Sequence, residues 1–564
     1  MEAILDKNSL DYLVKPWLNQ YDSFVSPHIQ YDNLTICDYF EKTVAQFPSH
    51  TAVMFEGYAL SYQELKKLID QFATELIDFG IQKGDRVAVV LPNTIQTIIS
   101  YLGILKIGAI AVMSNPNYTD RELEYQFNDS EAKMIITIDL IANRIIEQRS
   151  QYVNVKTIIY TTLIDYLPLP QKLLFSVIGK HRKIITDVKK APNVFQWKTI
   201  MAKNRIKNRS IPISMEDIAM YQYTSGTTGK SKGVMLTHGN ISKQIQQIKH
   251  WFSYLKDGEE CVLGAIPFFH ILGIMASLNI SIAKGWTNII VPKPVGKLLL
   301  ESILKYNISI TPLIPTMMIG ILNEPNASTT RLSSIKICLT GSASTPLEVI
   351  KAFEKLGNIS IIEGYGLTES SPVTHMIPAK GIRKTNSIGI PLPDTECRII
   401  DLETGLKDVP IGEPGELLIK GPQVMTGYLN RPKETLEYLK DGWLYTGDIA
   451  TMDEDGFFYI VDRKKDIIPT GEYTVYPREV EEVLIEHPKV NEACSVGIHH
   501  LEKGNAVMAF VVLKEGMIAT QDELINFCKD KLAGYKHPVK IEFKKELPKN
   551  AVGKVLRRVL KASV

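Results

Sequence analysis

Between Tyr223 and Val234 the chain reads Tyr-Thr-Ser-Gly-Thr-Thr-Gly-Lys-Ser-Lys-Gly-Val. Glycines at 226, 229 and 233 free the backbone to bend and to approach a ligand closely. Thr224, Ser225, Thr227 and Thr228 add hydroxyls, and Lys230 and Lys232 add positive charge. Successive backbone N–H groups in such a loop make an anion-binding concavity, and these side chains suit phosphate. A flexible linker is the competing reading of any Gly/Thr run, but two lysines and apolar flanks weigh against it. The ordinary P-loop fails at its first glycine, because Thr224 stands five residues before the Gly229-Lys230 pair. Other chemistry-bearing residues are ambiguous when taken singly. Asp448 in a Thr-Gly-Asp stretch reads as a turn residue. Lys554, in a basic tail with Lys549, Arg557 and Arg558, reads as a solvated surface lysine. His270, among Ile266, Phe268, Phe269, Ile271 and Leu272, reads as a core histidine or as part of an apolar wall.

The elements that would carry these residues alternate along the chain. Tyr62 to Phe79 has the period of an amphipathic helix. Asp85 to Leu91 reads as a buried strand and Thr94 to Lys106 as a helix. Strand–helix alternation continues through Lys133–Thr137, Thr157–Tyr160 and Lys336–Leu339. It predicts an α/β body of mainly parallel sheets with helices on both faces. The apolar run Thr97–Met113 is broken by Lys106 and Gly108, so a buried helix followed by a strand fits better than a membrane span. From about 387 to 461 short strands such as Cys397–Asp401 and Gly415–Lys420 alternate with Gly, Pro and Asp turns, which predicts a β-barrel-like lobe. Beyond Asp462 a helix at Pro477–Glu486, strands at Glu492–Ile498 and Val507–Leu513 and a helix at Gln521–Leu532 predict a small α+β domain. The expected division is 1–461 and 462–564.

Bulk properties narrow the function classes. A chain of 564 residues with 45% hydrophobic and 22% charged residues is globular and large enough for more than one domain. A net charge of +2 gives no general attraction to nucleic acid. Six cysteines without a CxxC pair argue against a zinc site and a disulfide scaffold and for a reducing, cytoplasmic setting. The N-terminus lacks a signal-peptide pattern.

Six motifs occur in one order: Thr224–Gly233; Pro267-Phe-Phe-His270; Glu363-Gly-Tyr-Gly-Leu-Thr-Glu369; Trp443-Leu-Tyr-Thr-Gly-Asp448; Asp462-Arg-Lys-Lys-Asp466; and Pro548-Lys-Asn-Ala-Val-Gly-Lys554. Together they resemble the adenylate-forming enzymes, a family that includes acyl-CoA synthetases, luciferases and peptide-synthetase adenylation domains. Lys15-Pro-Trp-Leu-Asn-Gln-Tyr21 and Tyr473-Thr-Val-Tyr-Pro-Arg-Glu-Val-Glu-Glu482 bring the likeness closest to the bacterial long-chain fatty-acid–CoA ligases.

The resemblance implies ATP-dependent activation of a fatty acid as acyl-AMP and its transfer to coenzyme A. ATP and coenzyme A would be co-substrates and Mg2+ the metal. It assigns Lys554 to the bridge between carboxylate and α-phosphate, Thr368 to the α-phosphate and Glu369 to the magnesium. Tyr365, between Gly364 and Gly366, would stack on adenine, Glu363 would approach its amino group, and Asp448 and Arg463 would hold the ribose. Thr224, Ser225, Gly226, Thr227, Thr228, Gly229, Lys230 and Lys232 would take the phosphates, and Phe269, His270 and Gly341 the acid. No carboxylate lies near His270 in sequence, which disfavours an amino-acid substrate, since a buried ammonium needs a partner. The C-terminal part would turn about a hinge at 462–466 that includes Lys465. Rival readings are donation to a carrier protein and an inactive binding protein of the same fold. The quartet Glu369, Asp448, Arg463 and Lys554 weighs against the second. Ser231 stands where the family usually has proline, Glu472 where it usually has glycine, and Glu502-Lys-Gly-Asn-Ala506 replaces a commoner Gly-Glu-Thr stretch. The segment 166–183 combines Leu, Phe, Val and Ile with Lys172, Lys180, Arg182 and Lys183 and no acid, so peripheral contact with a membrane is expected there, with a packed surface hairpin as the alternative. Monomer and homodimer both fit.

Overall fold

The computed structural model describes residues 12, 14–179, 184–207, 211–224, 231–327, 331–343, 345–357, 359–470, 473–500 and 504–564. Two large sheets form the body. The first runs Gly427–Tyr428, Lys232–Thr237, Ile218–Thr224, Ile110–Met113, Arg86–Val90, Met134–Ile138, Thr157–Thr161, Val194–Gln196. It is parallel from Ile218–Thr224 onward and closes with an antiparallel pairing to Lys232–Thr237. The second has nine strands. Its centre is the parallel set Ser360–Gly366, Ile337–Thr340, Ile310–Leu313, Cys261–Gly264 and Thr287–Ile290.

Near-continuous apolar runs explain these strands. Val87, Ala88, Val89 and Val90 are fully buried, as expected of a strand covered on both faces. The helix Tyr62–Asp78 starts at Ser61, whose side chain accepts from the Glu64 N–H while the Glu64 carboxylate accepts from the Ser61 N–H. The helix Ile95–Lys106 and the strand Ile110–Met113 account for the long apolar run. Among the described residues no helix is long and apolar enough to cross a membrane.

The lobe expected to be barrel-like is an antiparallel sheet of five strands, Glu396–Ile400, Gly415–Lys420, Leu439–Lys440, Trp443–Met452 and Phe458–Arg463. The C-terminal part packs helices Pro477–Glu486 and Gln521–Lys529 against a three-stranded sheet, with Val480, Leu484, Val507, Ala509, Leu524 and Ile541 in its own core. The segment 166–183 contains the helix Leu169–Ile178, which buries none of its residues. Leu169, Leu173, Leu174 and Val177 are 75, 68, 54 and 81% exposed. Lys172 donates to the Asp165 carbonyl at 3.0 Å. Lys180, Arg182 and Lys183 lie outside the described residues.

Candidate active site

A cleft of about 1340 Å³ opens where the carboxyl ends of both large sheets meet the antiparallel lobe and the C-terminal part. This is where an open α/β sheet places its ligands. Of the candidate residues, Thr224, Lys232, Phe269, His270, Gly341, Gly364, Tyr365, Gly366, Thr368, Glu369, Arg463, Lys465 and Lys554 line it, whereas Asp448 and Glu363 do not. Ser225, Gly226, Thr227, Thr228, Gly229 and Lys230 lie outside the described residues, as do Gly471, Glu472 and 501–503.

One wall is built by strand pairing. Asp448 on Trp443–Met452 sits opposite Arg463 on Phe458–Arg463. The residue is 3% exposed; its carboxylate pairs with the Arg463 guanidinium, Nε at 2.8 Å, and accepts from the Tyr365 hydroxyl at 2.6 Å. One acid thus fixes a guanidinium and an aromatic ring on the cleft wall. Burial, and then the Asp448 charge, push the Tyr365 phenol well above its ordinary range, so it stays a hydrogen donor. Thr368 and Glu369 form the one-turn helix Thr368–Ser370 just after Ser360–Gly366. The Tyr428 hydroxyl donates to Glu369 Oε1 at 2.8 Å and so orients that carboxylate.

Lys232, the first residue of the strand Lys232–Thr237, enters a polar cluster. Its ammonium pairs with Glu434 and lies 5.0 and 4.7 Å from the ring centres of Tyr428 and Tyr438. Arg431 grips Glu434 Oε1 at 2.7 Å and donates to the Tyr125 hydroxyl at 2.8 Å; that hydroxyl donates to the Ser231 carbonyl at 3.0 Å. Ser231, standing in place of proline, therefore has its backbone tied from outside the loop.

Glu363 differs from expectation. It does not line the cleft. Burial raises its carboxyl to about 7, partly offset by Arg383 and Arg478. It shares its strand with Tyr365 and Gly366.

The opposite wall comes from the C-terminal tail. Lys549 to Leu556 make a tight turn in which the Asn550 carboxamide accepts from the N–H groups of Val552 and Lys554 at 3.1 and 2.9 Å. Gly553 has φ +76°, and a Cβ there would stand 3.1 Å from Thr316 Oγ1. Glycine therefore serves both the turn and the close approach to the helix Pro315–Leu322. This seat points Lys554 into the cleft, where its exposed surface faces the cavity. The Arg463 guanidinium, and then enclosure by protein, lower its ammonium to about 8 against the opposing pull of Asp448.

Between the walls lies His270. Its Nδ1 accepts from the Leu272 N–H at 3.2 Å, so the neutral ring carries its hydrogen on Nε2. Burial and the nearby Lys554 charge push it down to about 4. Gly341 follows the strand Ile337–Thr340, and a Cβ there would come 2.6 Å from the Gly364 carbonyl, so only glycine lets the two chain segments close up. The cleft's lining also takes in the buried apolar residues Ile248, Phe252, Ile266, Ile280, Trp286 and Ile310, an apolar arm hereafter termed the tunnel.

Sequence reasoning missed Tyr428, Glu434, Asn550 and Gln222. The Gln222 amide donates to the Phe269 carbonyl at 2.8 Å, while its buried Oε1 has no hydrogen-bond partner among the described residues. Only Asn550 carried a signal, as the asparagine three residues before a glycine in a turn.

Two family models match the chain: AMP-binding enzyme over residues 40–429 and AMP-binding enzyme C-terminal domain over 479–554. A long-chain-fatty-acid–CoA ligase of Bacillus subtilis is 45% identical over 548 residues, covering 97% of each chain. One of Haemophilus influenzae is 38% identical over 534 residues, covering 93% of this chain and 94% of the other. The solved structure of o-succinylbenzoate coenzyme A synthetase from Bacillus subtilis, in complex with ATP and magnesium ion, superposes with a TM-score of 0.76 at 27% identity, covering 93% of this chain and 99% of that one. The chain belongs to the AMP-binding enzyme family, the adenylate-forming enzymes, close to the bacterial long-chain-fatty-acid–CoA ligases.

Proposed function

We propose that the protein is an ATP-dependent fatty-acid–CoA ligase that forms acyl-AMP and passes the acyl group to coenzyme A. The observation that carries this reading is a cleft lined by Tyr365, Arg463, Glu369, Lys554 and an apolar arm, with Asp448 buried directly behind Tyr365 and Arg463. The naming of the B. subtilis and H. influenzae relatives supports the acid and the thiol.

The first step joins two anions. A carboxylate oxygen attacks the α-phosphorus of ATP, the bond to the β-phosphate oxygen breaks, and pyrophosphate leaves. Asp448 accepts from the ribose hydroxyls with Arg463 beside it, Tyr365 covers adenine, and Thr368 donates to the α-phosphate. Lys554 neutralises the carboxylate and the α-phosphate as they close, which is charge stabilisation by a group already in place. Mg2+ fits Glu369, whose carboxylate is held at the cleft by Tyr428, because this ion completes its shell with water and substrate phosphates. Bound there, it would neutralise the phosphate charge. In the second step the thiol sulfur of coenzyme A attacks the acyl carbon, AMP leaves, and the thiol proton passes to solvent. The C-terminal part, turning about 462–466 with Lys465 in the hinge, withdraws Lys554 for this step. An equimolar trial of coenzyme A and an acyl-carrier protein as acceptors tests the thiol. Acyl-CoA as the main product supports the reading, and acyl-carrier product alone overturns it.

Adenylation needs Lys554 protonated. Its pKa is lowered to about 8, so the ammonium is fully present below that pH and is lost as pH rises through it. The kcat/KM for ATP in the exchange reaction is expected to fall above about pH 8. Because Arg463 is the main depressing charge, Arg463→Gln should move that limb to higher pH. A limb that stays in place would separate it from Lys554.

The exposed helix Leu169–Ile178 supports drawing the acid from a lipid surface. Its Leu169, Leu173 and Val177 form one stripe at helical spacing, and basic residues follow in sequence at 180, 182 and 183. With Lys172, Lys180, Arg182 and Lys183 all changed to Gln, co-sedimentation with phosphatidylglycerol vesicles should largely disappear, since each basic residue near such a surface contributes about 1 kcal/mol. Equal sedimentation of both proteins would remove this part of the proposal.

A further inference from the structure

The cleft's lining includes residues at both ends of the parallel strands of the nine-stranded sheet. At the carboxyl ends stand Gly341, Gly364 and His270; at the amino ends stand Ile310 and Ile337, which pair in register. Four residue steps separate Ile337 from Gly341, which is roughly 13 Å along the strand. That is shorter than an extended long-chain acyl group, so such a chain reaches the floor of the tunnel.

The floor is thin. A second cavity of about 390 Å³ lies beyond it, and Leu255 and Ile337 line both spaces. The two side chains are 5 and 3% exposed. Their backbones are fixed. The Lys284 ammonium donates to the Leu255 carbonyl at 2.7 Å, and the Ile337 N–H to the Ser309 carbonyl at 3.2 Å. On the far side the lining turns polar. Lys336 pairs with Glu260 at 2.7 Å, and Lys380 lies 5.0 Å from the Tyr254 ring centre. A terminal methyl gains from the apolar side and would have to disturb paired charges on the other.

We infer that Leu255 and Ile337 are the end-stop of the acyl tunnel and set the longest chain the enzyme turns over. This rests on the fatty-acid reading of the cleft. Because the backbone under both residues is pinned, the size of these two side chains decides how many methylenes fit. Each methylene seated or displaced should change kcat/KM by about fourfold.

The test presents the full-length enzyme with an equimolar pool of saturated acids of increasing length, ATP, Mg2+ and coenzyme A, and reads the chain-length distribution of acyl-CoA by mass spectrometry. Because the readout is a ratio, it holds even if a variant folds in reduced yield. Leu255→Phe and Ile337→Phe should move the distribution to shorter chains, with losses that grow with each added methylene. Leu255→Ala, which removes part of the floor, should move it to longer ones. A distribution like that of the wild type in all three variants would overturn the end-stop. No acyl-CoA from the wild type with any acid would instead overturn the fatty-acid reading itself.

Discussion

Lys554→Ala should lower fatty-acid-dependent ATP–pyrophosphate exchange by about 100- to 1,000-fold, the cost of removing one preorganised charge from a transition state that gathers negative charge. The expectation comes from how the side chain is held. Asn550 closes the turn beneath it, Gly553 lets the turn sit against Thr316, and Arg463 lowers its ammonium to about 8. A lysine that only decorated a basic tail would have none of these supports. Conversion of supplied acyl-adenylate to acyl-CoA should fall far less, because the thiol step begins once pyrophosphate has gone and the proposed rotation takes Lys554 out of the cleft. Lys554→Arg keeps the charge but not the compact head or the lowered pKa, so it should recover only part of the exchange rate. Equal losses in both half-reactions would contradict the assignment.

Asp448→Ala should reduce kcat/KM for ATP by about 30- to 100-fold, mostly through KM. The acid pairs with Arg463 and accepts from the Tyr365 hydroxyl, and its loss leaves the guanidinium without this counter-ion and the phenol without this acceptor. The ribose contact and the alignment of the adenine-facing ring would go together. Asp448→Asn keeps one oxygen acceptor and loses the charge, so it should fall between. A KM for ATP like that of the wild type, in a variant with a normal melting temperature, would show that the ribose lies elsewhere.

Much of this site is legible in the sequence because its residues sit beside backbone features that sequence records well. Val87 to Val90 and Ile337 to Leu339 read as buried strands because no charged residue interrupts them, and Thr368 and Glu369 are legible through the motif that contains them. The capping box at Ser61 and Glu64 marks a helix start within one residue. Side-chain direction is less legible. Glu363 is two residues from Tyr365 and was expected at the adenine, yet it does not line the cleft, and the charges that act on its carboxyl come from Arg383 and from Arg478, on a helix more than a hundred positions away. Tyr428 holds Glu369 across 59 residues of chain, and Glu434 captures Lys232 from a helix in the same distant stretch. No local period encodes such pairs. The tunnel floor is hidden for the same reason: Leu255 and Ile337 are ordinary apolar residues until the fold places one opposite the other.

The central claim is that the cleft activates a fatty acid by adenylation before any thiol takes part. Isotope exchange between pyrophosphate and ATP, run with Mg2+ and a long-chain fatty acid and without coenzyme A, tests it most directly. Exchange that requires the acid, disappears in Lys554→Ala, and gives way to matched AMP and acyl-CoA once coenzyme A is added is the predicted result. Exchange that does not depend on the acid, or its absence with every acid offered, would contradict the account.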